Sequence, residues 1–180
     1  NLRKIVKNIR EYIISKGGQV LFNEQVEDFE IENGKIKAVK CSKRIETDSV
    51  ILAIGHSARD TFKKVYELGV EVQPKNFAVG VRIEHLQEDI NKAQYGTQTK
   101  LHLPSADYKL VYHAQNGRTC YTFCMCPGGQ VMASNSEENS IVTNGMSNFA
   151  RDGVNSNSAL LVNVTVDDYY KNTPLDGMYF

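Results

Sequence analysis

The sequence predicts an α/β segment followed by a β-rich α+β domain, and three observations carry that prediction. Ser49 to Thr61, SVILAIGHSARDT, is an unbroken apolar run ending in Gly-His-Ser. Such a run reads as a buried strand of a parallel sheet whose carboxyl end delivers a tight loop, where α/β folds place ligands. Ahead of it, Leu2 to Lys16 repeats apolar residues at helical spacing. Beyond Phe77 the pattern alternates at period two and is punctuated by Asn-Gly and Gly-Gly pairs, the texture of antiparallel strands.

In the first helix Leu2, Ile5, Val6, Ile9, Tyr12 and Ile13 form the apolar stripe, with Arg3, Lys4, Lys7, Arg10 and Glu11 on a solvated face. Gly17-Gly18 ends it. Gln19 to Phe22 reads as a short strand and Gln25 to Ile31 as another. Asn33-Gly34 then joins VEDFEI to IKAV, the strongest short-range hairpin signal a sequence offers. After a further extended piece near Ile45, the apolar run Val50 to Ile54 leads to Gly55, which allows a turn or a close approach to a ligand. Ser57 is placed to cap a helix over Arg59 to Leu68, with Asp60 near its positive end and Gly69 as its stop.

The boundary falls near Val70 to Lys75, where Pro74 marks a turn, giving domains over residues 1–69 and 70–180. In the second, Phe77 to Glu84 is a strand and Gln87 to Ala93 a helical patch. Lys109 to Ala114 and Arg118 to Cys126 pair across Asn116-Gly117, and strands follow at Gln130 to Ala133, Ile141 to Thr143 and Ala159 to Val166. The chain starts at Asn1 without a Met and stops after a Pro-Leu-Asp-Gly turn, so it reads as a piece of a longer protein whose second domain is cut short.

Composition narrows the function classes. With 180 residues, 41% hydrophobic and 23% charged, the chain has the ordinary balance of a globular protein. Twenty-one basic residues against 21 acidic ones leave no basic excess for a phosphate backbone, so no nucleic-acid partner is expected. No signal peptide, membrane span or lipidation signal is found, so no membrane partner is expected and a cytoplasmic location is. The four cysteines are too few and too bunched for a secreted disulfide framework.

Cys120, Cys124 and Cys126 fall in phase on one strand face, which raises a zinc reading. Same-face neighbours on a strand stand roughly 7 Å apart, too far for shared tetrahedral ligation, so buried inert thiols and no metal are expected. Cys126 differs because Pro127-Gly128-Gly129 follows it: that turn is expected to expose backbone amides and a thiol at a sheet edge, suited to a planar cofactor or an oxyanion. His56 is poised at the sheet mouth to donate to a phosphate, ribose or ring carbonyl, whereas His85, His102 and His113 read as surface or structural residues. Asn144 to Ser158 is too rich in Gly, Asn and Ser to be core; it is either an ordinary loop or a polar substrate lining, with Arg151 and Asn155 as candidate substrate contacts. G-x-G-x-x-G, G-x-x-x-x-G-K-[ST] and G-x-S-x-G are missing, so Ser57 is not a hydrolase nucleophile.

The stretches ILAIGHSARDTF, NFAVGVRIEH, AQYG, LPSADYKL, TFCMCPGG, NGMSNFARDG and NSALLV span most of the chain from Asp48 to Val166. Together they resemble bacterial FAD-dependent dehydrogenases, flavoproteins with a glutathione-reductase-type fold and an inserted substrate domain. The resemblance implies that residues 1–69 are part of a Rossmann-like FAD/NAD(P)-binding fold and that the β-rich half is the inserted domain. It further implies that Val26 meets the adenine through its backbone, and that Ala53, Gly55, His56 and Ser57 pack beside the dinucleotide. By the same resemblance Cys126, Pro127, Gly128 and Gly129 approach the isoalloxazine. The implied reaction is hydride transfer between a small-molecule substrate and FAD, with NAD(P)H as a possible electron donor and His56 and Cys126 as the candidate catalytic residues. The family's glycine-rich fingerprint and its carboxyl-terminal Gly-Asp segment lie outside these residues, which reads as a central fragment unable to hold FAD tightly alone. Two rivals stand beside this reading: a non-catalytic docking domain of a flavoprotein, and an RNA-modifying flavoprotein.

Overall fold

A computed structural model describes residues 2–97 and 101–180; Asn1, where the first expected domain begins, lies outside the described residues. The chain forms two compact units, Asn1–Glu71 and Val72–Phe180.

In the first unit, helix α1 covers Leu2–Ser15. Gly17 takes φ +83° and the Gly18 N–H reaches back to the Ile13 carbonyl at 3.0 Å, the closure that a left-handed residue permits at a helix end. The stripe from Leu2 to Ile13 has the expected phase, yet none of its residues is buried.

The three-stranded sheet orders β1 (Asp28–Glu32), β2 (Lys35–Lys40) and β3 (Arg44–Glu46) as an antiparallel meander. Glu32 faces Lys35, leaving Asn33 and Gly34 as a two-residue turn with φ +52° and +72°. Two successive positive φ values define the type I′ turn whose twist matches a hairpin, and Asn-Gly adopts it at least cost. Ala38, fully buried, stands opposite Glu30 and Glu46. Arg44 joins those two carboxylates at 2.7 and 2.5 Å and so closes over the small side chain.

Helix α2 spans Arg59–Glu67 and is tied to the meander by Lys64 and Asp28 at 3.4 Å. Its N-cap is Ala58 rather than the expected Ser57, whose carbonyl instead accepts from the Arg59 N–H at 2.9 Å. The expected strands at Gln19 to Phe22 and Val50 to Ile54 do not form. A strand exists only where a neighbour takes its backbone groups, and every sheet pairing among the described residues is antiparallel and involves other segments. The run that reads as a buried strand is exposed throughout, Ile51 at 93%.

The second unit is built on β4 (Phe77–Leu86), helix α3 (Gln87–Tyr95), β5 (Val111–His113), β6 (Thr119–Cys126), β7 (Gly129–Ala133), β8 (Thr143–Ser147) and β9 (Asn155–Val164). A four-stranded antiparallel sheet runs in the order β4-β9-β6-β5, and β7 pairs with β8. Strand β9 is central: it meets β4 over ten residue pairs, from Phe77 opposite Val164 to Leu86 opposite Asn155, and β6 on its other side. Asn155 to Ser158, expected outside the core as an ordinary loop or a polar substrate lining, is the opening of this strand, and Ser156, Asn157 and Ser158 have no exposed surface. The Asn116-Gly117 turn joins β5 to β6 as anticipated, with the Ala114 N–H on the Arg118 carbonyl at 2.8 Å.

After β9 the short helix α4 (Val166–Tyr169) begins with a capping box between Thr165 and Asp168. Arg118 grips the same carboxylate through both Nη atoms, so Asp168 is held well below the usual carboxylate range, chiefly by that guanidinium. Tyr169 packs its ring against Phe77 at 5.3 Å and donates its hydroxyl to the Lys75 carbonyl at 2.8 Å. Downstream, the Asp176 carboxylate accepts the N–H groups of Asn172, Lys171 and Thr173, which pull its pKa from 3.8 to about 2.

Two outcomes follow for the full-length protein. A Cβ on Gly80 would stand 1.9 Å from the Leu160 carbonyl oxygen, so Gly80→Ala must push β4 from β9 and lower stability by about 1–3 kcal/mol, read as a lower urea midpoint. Because the Asp176 pKa is lower folded than unfolded, its contribution is complete above 3.8 and lost as pH falls through about 2. Asp176→Asn should flatten the pH dependence of stability across that window in acid titrations.

Candidate functional site

In the first unit the residues before β1 and the start of α2 enclose a cleft of about 400 Å³ lined by Val26, Phe29, Asp60 and Lys64 among others. Glu27 sends its N–H to the Lys40 carbonyl at 2.8 Å, but Val26 makes no backbone hydrogen bond with another described residue. Its N–H and C=O are therefore available beside the cleft. Ala53, Gly55 and His56 are exposed, and Ser57 is half-buried. Gly55 takes φ +73° with nothing within 4 Å of where a Cβ would stand, so this glycine serves the backbone conformation and not a tight fit.

The turn Cys126-Pro127-Gly128-Gly129 of the second unit is buried, contrary to the expectation of exposed amides. Gln87, 5% exposed at the start of α3, accepts the Gly128 N–H at 2.7 Å and spends its amide hydrogens on Asn91 and the Ala106 carbonyl, each at 2.9 Å. A Cβ on Gly128 would lie 2.1 Å from the Arg151 carbonyl oxygen and one on Gly129 2.6 Å from that of Met146. The close approach that these glycines permit is made by the chain itself. The Cys126 thiol points to the Cys124 carbonyl at 3.4 Å, and burial pushes it up, so it stays protonated at neutral pH.

The cysteines do not share a face as expected. A bulge between Phe123 and Cys126, with Cys124 at φ +49°, breaks the alternation and leaves Cys124 exposed, Cys120 half-buried and Cys126 buried. Among the described residues no group of three His, Cys, Asp or Glu side chains could hold a metal ion. Arg151 is exposed, and its carbonyl accepts from Ser105 Oγ at 2.6 Å; Asn155 is half-buried at the first position of β9.

One further polar group is a histidine that residue type alone reads as surface or structural. His85 faces Ser156 across the β4–β9 ladder, with Nδ1 at 2.8 Å from Ser156 Oγ and Nε2 at 2.6 Å from Tyr108 Oη. A neutral imidazole so placed must donate at one nitrogen and accept at the other, so the three side chains form a continuous path for a proton. Burial pushes the Tyr108 phenol up. Val79, Val81 and Ile83 precede His85 at two-residue intervals on the same face of β4 and are all exposed, giving an apolar floor that ends in the Tyr108–His85 pair. That phase relation was the signal in the sequence: His85 falls in register with the aliphatic residues of an alternating strand.

A family model described as FAD-dependent protein, C-terminal domain-like, matches residues 76–180, which is the sheet unit just described. The chain belongs to this family. An uncharacterized protein of Clostridium beijerinckii is 48% identical over 184 residues of alignment, covering 99% of this chain and 34% of the relative. The chain thus spans about a third of the length of the curated relative it matches. Among the described residues of this FAD-dependent family member, no helix is long and apolar enough to cross a membrane.

Gln87→Ala would strip the Gly128 N–H and the Ala106 carbonyl of their partners in a buried place. Each such loss costs about 1–3 kcal/mol, so the full-length variant should unfold at a markedly lower urea concentration.

Proposed function

We propose that this chain is part of a flavin-dependent oxidoreductase that transfers a hydride between a small-molecule substrate and FAD. The observation that carries the reading is membership of an FAD-dependent family over residues 76–180. Features of the first unit are compatible with a dinucleotide. The unpaired N–H and C=O of Val26 beside its cleft match the donor and acceptor edge of an adenine. Gly55, His56 and Ser57 form an open turn, preceded by Ala53, at which backbone can approach a pyrophosphate. In this proposal the runs Gln19 to Phe22 and Val50 to Ile54, exposed but for the half-buried Val20, become strands of a Rossmann-like sheet when the longer protein supplies their partners.

The flavin, when bound, supplies the hydride chemistry, and the chain supplies position and protons. Tyr108, relayed through His85 to Ser156, holds the proton that leaves or reaches the substrate. The apolar floor of Val79, Val81 and Ile83 offers the substrate an exposed greasy surface beside it. Cys126 takes no chemical part, and the Cys-Pro-Gly-Gly turn braces the loops around Arg151 and Met146. That internal bracing also favours a second reading, a non-catalytic domain that only covers the cofactor.

The full-length protein separates the two. It should purify with the visible absorbance of a flavin, and Tyr108→Phe and His85→Gln should keep that absorbance while slowing substrate-driven bleaching of the flavin at least tenfold and moving its pH profile. Unchanged bleaching rates would favour the non-catalytic domain. His56→Ala should weaken FAD retention, measured as flavin content after gel filtration. The 180-residue chain alone should bind FAD more weakly than micromolar in a fluorescence titration.

A further inference from the structure

Strand β4 borders the four-stranded sheet, with β9 on one side and, among the described residues, no strand on the other. Gln87, one residue past its end, donates its N–H to the Val154 carbonyl at 2.9 Å and so continues the ladder to β9. Successive residues of an antiparallel strand turn their N–H and C=O to opposite sides, so the odd-numbered residues from Phe77 to His85 bond to β9. Ala78, Gly80, Arg82, Glu84 and Leu86 turn theirs outward, and among the described residues nothing bonds to those backbone groups.

An open edge of this length is a template for another strand, and proteins commonly blunt one with Lys, Pro or a bulge. Strand β4 reads FAVGVRIEHL, without Lys or Pro, and its pairing with β9 runs through without a shift in register. Helix α3 does not close the edge by its bonds: Gln87 at its start reaches back to Gly128 and Ala106.

The charges on this edge favour a second copy as its partner. Arg82 and Glu84 stand two residues apart with opposite sign, and neither is in an ion pair among the described residues. Two identical strands laid antiparallel meet about a twofold axis, so each register is named by the residue on that axis. With Arg82 or Glu84 on it, like charges face each other; with Val81 on it, Arg82 faces Gly80 and Glu84 faces Ala78. With Ile83 on it, Arg82 of each copy faces Glu84 of the other, Gly80 faces Leu86, and the outward backbone groups meet in hydrogen-bonded pairs.

We propose that two copies of the protein join edge to edge through β4, antiparallel about a twofold axis at Ile83, so that the sheet runs on from one copy into the other. Val81 of each copy then stands beside His85 of the other, and the two exposed rows of Val79, Val81 and Ile83 abut on one face.

The full-length protein should sediment as a dimer. The two Ile83 residues form a pair without mutual hydrogen bonds, in which Cα atoms stand about 4.5 Å apart, within reach of a disulfide. Ile83→Cys should therefore link the copies on mild oxidation, read as a dimer band on a gel that disappears on reduction. Val81→Cys, displaced about 13 Å along the strand from its counterpart, should link no better than the wild type. Glu84→Arg sets like charges opposite each other twice and should raise the dimer dissociation constant about tenfold or more. A monomer, or a dimer in which Ile83→Cys links no better than Val81→Cys, would overturn the proposal.

Discussion

Ser156, Asn157 and Ser158 sit without exposed surface in the middle of the four-stranded sheet, where polar side chains are tolerated only with hydrogen bonds made. Each draws a different element to β9. Ser156 takes His85 of β4 and, through it, Tyr108; Ser158 donates to the Phe123 carbonyl of β6; Asn157 holds Arg82 and thereby the bulged carbonyl of Cys124. An apolar strand in this place would pack equally well in several registers. A polar one makes these bonds in one alignment, which is how ten residue pairs of β4 and β9 come to be in step, even with Asn157 Nδ2 left without a partner.

Parts of this were legible from residue types because the cause is local. Asn33-Gly34 forms its hairpin on two positive φ angles of its own, and Asn116-Gly117 forms one in which the positive φ of Gly117 closes a longer loop between Ala114 and Arg118. The helix spacing of α1 and the period-two pattern of β4 are likewise properties of single segments. What failed to be read depends on partners. Val50 to Ile54 has the composition of a buried strand but no neighbour to bond with, and Asn155 to Ser158 has the composition of a loop but enters between two strands. The glycines of the Cys-Pro-Gly-Gly turn were visible, yet whether their open side meets a ligand or Arg151 is a tertiary fact. His85 reads from sequence as a surface or structural residue because a histidine on its own says little; its place in a hydrogen-bonded chain comes from Tyr108 and Ser156 lying on either side of the ring.

The two units also differ in how they secure themselves. The meander buries little beyond Phe29 and Ala38 and is laced by exposed ion pairs, which contribute modestly. The sheet unit buries Val164, Tyr169 and Leu175 at one end, and at the other mixes Ala106, Cys126 and Ala159 with its buried polar residues. In total the chain exposes 14102 Å², where two folded units of the same combined mass would expose about 10,500 Å². Exposed aliphatic side chains, Ile51 and Val81 among them, contribute to that surface.

Helix α1 shows what this means during synthesis. Its stripe from Leu2 to Ile13 is regular enough to coil as it leaves the ribosome, but no side chain of it is buried within its own unit. A helix left bare in this way is a greasy, positively flanked rod of the kind that chaperones hold and that clumps when they do not. Within its own unit the helix therefore draws little from packing, and its turns rest on their own hydrogen bonds.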